Sequence, residues 1–295
     1  MSVTPVTSVE ETVELPDGRR LAYAARGGPG GSPVLFHHGT PGSRLGRHPD
    51  PALPERLGVR VVNFDRPGYG GSDRLEGRSV SAIAGDAAAL ADHLGWERFG
   101  VMGVSGGGPH ALACAALLPE RISRVAVLVT PAPYEPGFDF LAGMAQTNID
   151  EFSAALTGPA AIAAYLAPSI EALQTEPGQV LDQLAAELPP PDQELLARPE
   201  VRELVIAAWQ EATRQGDAGW LDDDLAFTRP WGFELGAIHT EARLWHGELD
   251  ALAPQAHGRR VAEALPAASF ELVSGQGHLL YDAWPLALEW LAAAA

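Results

Sequence analysis

The five residues Gly103-Val104-Ser105-Gly106-Gly107 are the first place in this chain where residue type and spacing spell out chemistry. An apolar run, Phe99–Val104, leads into the serine, and a helix-like run, Pro109–Leu118, leaves it. A serine on a tight turn between a buried strand and a helix is pushed above the sheet edge with its hydroxyl free to react. Glycines at 103 and 107 let neighbouring backbone come close, because no Cβ stands in the way. The start of the helix aims unpaired N–H groups at any oxyanion forming beside the serine. The chain has 32 glycines, so the spacing alone arises easily by chance. The flanking strand and helix are what give it meaning.

A serine hydroxyl is a weak nucleophile until a base takes its proton, and the base needs an acid to orient it. Among nine histidines, His278 stands out in Gly275-Gln276-Gly277-His278, just after the strand-like run Ser269–Val273. A glycine-bearing loop leaving a strand can carry an imidazole over the sheet edge. For the acid, Asp250 and Glu248 compete within His246-Gly247-Glu248-Leu249-Asp250, which follows the run Ala242–Trp245. Asp250 is preferred because it sits where the loop must turn back toward His278. The order along the chain is then Ser, Asp, His. A second oxyanion donor is expected from the loop His37–Ser43, so the backbone N–H groups of Thr40 and Gly106 are assigned to that role.

Other polar residues read as support. His37 and His38 are adjacent on a strand and point to opposite faces, which argues for a loop-holding role over a metal pair. Asp65 and Arg66, in the loop Asp65–Gly70, also read as structural. Cys114 is the only cysteine, which rules out a disulfide framework or a cysteine metal cluster and fits a buried helix residue. No cofactor and no metal are expected.

These side chains need a frame. Thr12–Leu15 and Arg20–Arg26 read as strands around the turn Pro16-Asp17-Gly18. Pro33–His37, Val59–Phe64, Phe99–Val104 and Arg124–Val129 are short apolar runs of the kind found in strands buried on both faces. Ser79–Leu94 has apolar residues at helical spacing and stops at Gly95. Strand and helix alternate, which predicts an α/β fold built on a mostly parallel sheet with helices on both faces. The rhythm breaks after Pro131. From about 134 to about 235 the chain reads as helices, for example 149–156, 160–166, 178–188 and 200–215. Breaks are expected at Pro159, Pro168, Pro177, Pro189–Pro191 and Pro199. Strands return at 242–245 and 269–273, and a helix over about 280–294 closes the chain. The expected organisation is therefore a core formed by 1–133 and 236–295, with a helical cap over 134–235.

Composition narrows the partners. The 295 residues are 46% hydrophobic and carry a formal net charge of −18. All 20 basic residues are arginine, and together with abundant Ala, Gly and Pro this points to a GC-rich bacterial genome. Between Glu135 and Glu234, 18 acidic residues face four arginines, which places 14 of the 18 net negative charges there. Nucleic acid and anionic membrane surfaces are poor partners for such a chain, and a small-molecule substrate is expected. Under an acidic lid that substrate should be neutral or cationic, and a homo-oligomer is left open. Met1–Pro16 has no basic start and no apolar run of signal-peptide length, and nowhere do about 18 apolar residues follow one another, so a cytoplasmic location is expected.

Taken together, the loops His37–Ser43 and Asp65–Asp73, the elbow at 103–107, His246–Asp250 and Gly275–His278 resemble those of the α/β-hydrolase superfamily, in particular its cap-bearing serine hydrolases. The resemblance covers nearly the whole chain. It implies an eight-stranded sheet with a helical cap inserted after the sixth strand, Ser105 as nucleophile, His278 as general base and Asp250 as its orienter. Ser105 stands where epoxide hydrolases and haloalkane dehalogenases place an aspartate. The oxyanion loop reads His37-His38-Gly39-Thr40-Pro41-Gly42, unlike the HGGPG typical of proline iminopeptidases. The expected activity is hydrolysis of a neutral, mostly apolar ester, lactone or thioester. The alternatives are an aminopeptidase of the proline iminopeptidase type and a ligand-binding member of the fold without turnover. Peroxidase side activity, as in cofactor-free haloperoxidase-like members, and carbon–carbon bond hydrolysis are also compatible. Phe138, Phe140, Met144, Phe152, Tyr165, Trp209, Trp220 and Trp231 are the candidates for an apolar pocket lining.

Overall fold

A computed structural model describes residues 9–294. The first eight residues of the segment weighed as a leader therefore lie outside the described part. Strands β1 (Val9–Glu14), β2 (Arg20–Arg26) and β3 (Ser32–His37) open the chain, followed by a short helix α1 (Leu53–Arg56) and strand β4 (Val59–Phe64). Then come α2 (Ile83–His93), β5 (Phe99–Val104), α3 (Gly107–Leu117) and β6 (Ile122–Leu128). Six helices follow: α4 (Gln146–Thr157), α5 (Pro159–Thr175), α6 (Pro177–Glu187), α7 (Pro190–Leu196), α8 (Pro199–Ala212) and α9 (Ala218–Phe227). The chain ends with β7 (Ala242–Gly247), α10 (Gln255–Ala264), β8 (Ala268–Val273) and α11 (Ala283–Ala292).

The eight strands form one sheet in the order β1-β2-β4-β3-β5-β6-β7-β8. The pairs β1–β2 and β2–β4 are antiparallel, and every other pair is parallel. Side chains alternate across each strand, so the sheet builds two cores. Leu35, Val62, Val101 and Val127 pack with α2, α3 and α10 on one face. Val34, Phe36, Val61, Met102 and Leu128 pack against α11 on the other. The central strands are thus sealed on both sides, which fixes the positions of the loops at their C-terminal ends. Those loops carry the candidate site.

The helical insertion between β6 and β7 differs in detail from the reading of its prolines. Pro159, Pro177, Pro190 and Pro199 begin helices, where a missing N–H costs nothing and a fixed φ helps. The Pro189–Pro191 run, expected as a loop, starts α7. Pro168, expected as a break, lies inside α5. There Ile162, Leu166 and Leu173 anchor the helix in an apolar cluster with Ala212, Trp220 and Leu225, and packing outweighs the lost hydrogen bond. Among the described residues no helix is long and apolar enough to cross a membrane.

Candidate active site

Ser105 sits between β5 and α3 with φ 55°, a left-handed backbone that costs a non-glycine residue on the order of 1–3 kcal/mol. Two backbone hydrogen bonds hold it there: its N–H donates to Leu128 O (2.9 Å), and its carbonyl accepts from Gly108 N–H (2.8 Å). The turn leaves no room for side chains. A methyl group on Gly103 would lie 2.4 Å from Gly107 O, and one on Gly107 would lie 2.0 Å from His37 O.

His278 follows β8, and its Nδ1 lies 2.9 Å from both carboxylate oxygens of Asp250, which follows β7. A proton on Nδ1 shared with that carboxylate leaves Nε2 with the free lone pair. Asp250 is buried and also accepts from the N–H groups of Leu252 and Ala253, each at 2.9 Å. His246 Nε2 is 3.3 Å from its other oxygen. Burial alone would raise the Asp250 pKa, but the His278 and His246 rings and their hydrogen bonds hold it well below the usual carboxylate range. For His278, burial works to lower the pKa, yet the Asp250 charge and hydrogen bond, reinforced by Asp192, leave it above 6.5. Glu248, the rival acid, is turned away. It accepts from Ser274 Oγ (2.7 Å) and Gly275 N–H (2.9 Å) and so shapes the loop that leads to His278.

The loop after β3 lies against the elbow. A methyl group on Gly39 would be 3.5 Å from Ser105 Cβ, and one on Gly106 would be 2.3 Å from Thr40 Oγ1. Among the described residues, neither the N–H of Thr40 nor that of Gly106 has a protein acceptor. His38 braces this loop: its Nδ1 pairs with Gly39 O at 2.7 Å and its Nε2 accepts from Arg66 N–H at 3.2 Å. His37 is buried beside Cys114 Sγ. Asp65 accepts from Arg44 and from Gly71 N–H, so it and Arg66 shape loops.

Ser105, His278, Thr40 and Gly106 all open on one cavity of about 350 Å³. Among the described residues no hydrogen bond joins Ser105 to His278. The roof comes from the helical insertion. Met144, Phe152, Tyr165, Trp209 and Trp220 line the cavity, as expected. Phe138, Phe140 and Trp231 do not: Phe138 and Phe140 pack edge-on against His257, and Trp231 joins the sheet core.

Two features were not read from the sequence. Asp223 on α9 is fully buried and binds Arg66 (2.6 Å), Arg78 (2.6 Å), Tyr69 OH (2.8 Å) and Thr40 Oγ1 (2.8 Å). It ties the insertion to the loop that carries Thr40. Its neighbour Asp224 faces Glu151 of α4 inside the cavity wall, where Glu151 also accepts from Trp220 Nε1 at 2.7 Å. Burial raises the pKa of Glu151 to about 7 and that of Asp224 well above its ordinary value, so the pair retains a proton near neutrality. The signal for both was the run Asp222-Asp223-Asp224 between Trp220-Leu221 and Leu225-Ala226-Phe227. Three acids inside an apolar frame must find buried partners.

Residues 32–283 match the family model of the alpha/beta hydrolase fold, and the chain belongs to that family. It is 32% identical over 109 residues to the uncharacterized hydrolase YcgS of Bacillus subtilis (strain 168), covering 37% of each chain. The match thus spans well under two thirds of that relative. Among solved structures it is similar to a thermophilic esterase from Thermogutta terrifontis, with TM-score 0.68, 23% identity, and 98% of this chain and 99% of that one covered. It is also similar to an enol-lactonase from Burkholderia xenovorans LB400, with TM-score 0.67, 19% identity, and 96% and 97% covered.

Proposed function

We propose that this protein hydrolyses a neutral, mostly apolar ester, lactone or thioester through an acyl-enzyme. The observation that carries the reading is a convergence: an elbow serine, a His278–Asp250 pair and two backbone amides without an acceptor among the described residues meet at one largely apolar cavity. Ser105 Oγ attacks the carbonyl carbon while His278 Nε2 takes its proton. The N–H groups of Thr40 and Gly106 receive the negative oxygen, each donor contributing about 3 kcal/mol of barrier lowering. His278 then protonates the leaving oxygen or sulfur; the alcohol or thiol departs, or in a lactone stays tethered to the acyl group as a free hydroxyl. Water, deprotonated by His278, attacks the acyl-enzyme, and collapse of that second intermediate frees the acid and restores Ser105. Asp250 holds the imidazole in the productive tautomer and stabilises its charged form.

A fluorophosphonate probe together with a p-nitrophenyl ester series tests this. Stoichiometric labelling at Ser105, with labelling and ester hydrolysis lost in Ser105→Ala, is the expected result. Hydrolysis persisting at the wild-type rate in Ser105→Ala overturns the assignment. A protein that neither labels nor turns over is instead a ligand-binding member of the fold. A second reading, aminopeptidase activity, is favoured by one observation: the Glu151 carboxyl lies at the cavity wall, where a substrate ammonium could bind. Turnover of amino-acid p-nitroanilides in preference to esters would select it.

A further inference from the structure

The carboxylate of Asp192 on α7 belongs to the insertion, yet both its oxygens are spent on the loop that carries His278. Oδ2 accepts from the N–H of His278 and Oδ1 from the N–H of Leu279, each at 2.8 Å. Asp192 is fully buried. The fit allows nothing larger on the loop, since a methyl group on Gly277 would lie 2.1 Å from Oδ2. A second, independent contact joins the same parts. Leu181, Leu188, Leu196 and Val201 of the insertion form an apolar cluster, and Leu252 and Leu279 pack against it. Leu252 lies two residues past Asp250, and Leu279 directly follows His278.

A buried carboxylate that accepts two backbone N–H bonds fixes the position of that backbone. Here the fixed segment is the one whose side chain must swing between Ser105 and a leaving group. We propose that Asp192 is a positioning residue for His278, through which the seating of the helical insertion sets the alignment of the general base. The proposal rests on the reading of Ser105, His278 and Asp250 as a catalytic triad. Among the described residues two charged groups act on the imidazole, Asp250 from the loop after β7 and Asp192 from α7; His246 meets Asp250 and not the ring. Removing Asp192 therefore loosens the backbone and also takes away one of the two charges that favour the imidazolium.

The test compares Asp192→Ala and Asp192→Asn with the wild type on a p-nitrophenyl ester across pH, with Ser105→Ala as the blank. Asp192→Ala is expected to lower kcat about 10- to 100-fold, the scale of a misplaced catalytic group, with KM changed far less. The acid limb of kcat/KM should move to lower pH. Asp192→Asn keeps the shape and one acceptor, so it should recover part of kcat while showing the same displaced limb. Wild-type kcat and an unmoved limb in both variants overturn the proposal, as does a loss confined to KM. If Asp192→Ala does not fold, Asp192→Asn decides alone by its limb. If the wild type shows no Ser105-dependent hydrolysis, the hydrolase reading fails by itself. The positioning claim is then settled by NMR titration of the His278 ring: a lower pKa in Asp192→Asn supports it, and an unchanged one overturns it.

Discussion

At Asp250 two acids two residues apart have opposite fates, and hydrogen bonding decides between them. Asp250 faces the His278 ring from 2.9 Å and is held ionised, whereas Glu248 is exposed and closes a turn. Replacing Asp250 by Asn keeps its size but offers the imidazole an amide, which selects the wrong tautomer. Turnover should fall by a factor on the order of 10⁴. Glu248→Gln should remain near wild type, and steady-state kinetics on one ester checks both. A large loss in Glu248→Gln with little in Asp250→Asn would exchange the two roles. The same site predicts a pH profile. His278 must be neutral to accept a proton, and its pKa is raised above 6.5, so kcat/KM should climb with pH through a limb lying above 6.5. A limb well below 6.5 would show that Asp250 does not act on the ring as drawn.

At the scale of elements, the insertion between β6 and β7 grips the loops of the proposed site at two points. Asp223 of α9 holds the Thr40 loop through Arg66, and Asp192 of α7 holds the His278 loop. Asp223→Ala would leave Arg66 and Arg78 buried without their shared anion. Breaking such a pair typically costs about 3–5 kcal/mol. Calorimetry should therefore show Tm lowered by roughly 5–8 °C; an unchanged Tm would mean that the cluster is not a structural anchor. The elements divide by legibility along the same line. Short apolar runs bounded by Gly and Pro announced the strands: Val59–Phe64 and Phe99–Val104 end where the residues said they would. Helix boundaries in the insertion were harder, because a proline looks the same whether it stops a helix or opens one. Pro190 was misread for that reason, and Pro168 because tertiary packing carries α5 through it. The elbow, His278 and Asp250 were visible because glycines and strand ends flag loops. Asp192 was not, since an acid on a helix looks solvated until its tertiary partners are known, and for Asp223 the apolar frame of the acidic run was the one hint.

Across the whole molecule, a net charge of −18 concentrated in the insertion makes protonation a stability variable. Glu151 and Asp224 meet inside the fold and cannot both ionise cheaply. Glu151 titrates at about 7 when folded against 4.5 in its ordinary state. Between those values the folded chain holds a proton that the unfolded chain has released, so stability declines as pH rises across that window. The cost at pH 8 is on the order of 3 kcal/mol. The buried neutral histidines His37, His38, His110 and His257 act in the opposite sense, losing stability as pH falls below 6.5. They do so equally in any variant that leaves them untouched, so a difference between two proteins isolates the acid pair. Glu151→Gln supplies that difference: its amide oxygen can still accept from Trp220 Nε1, and its NH₂ can donate to an ionised Asp224. Thermal melts should coincide near pH 5 and separate with increasing pH, the variant gaining roughly 5 °C by pH 8. Parallel curves for wild type and Glu151→Gln over that range would show that the two carboxyl groups do not share a proton in the folded protein.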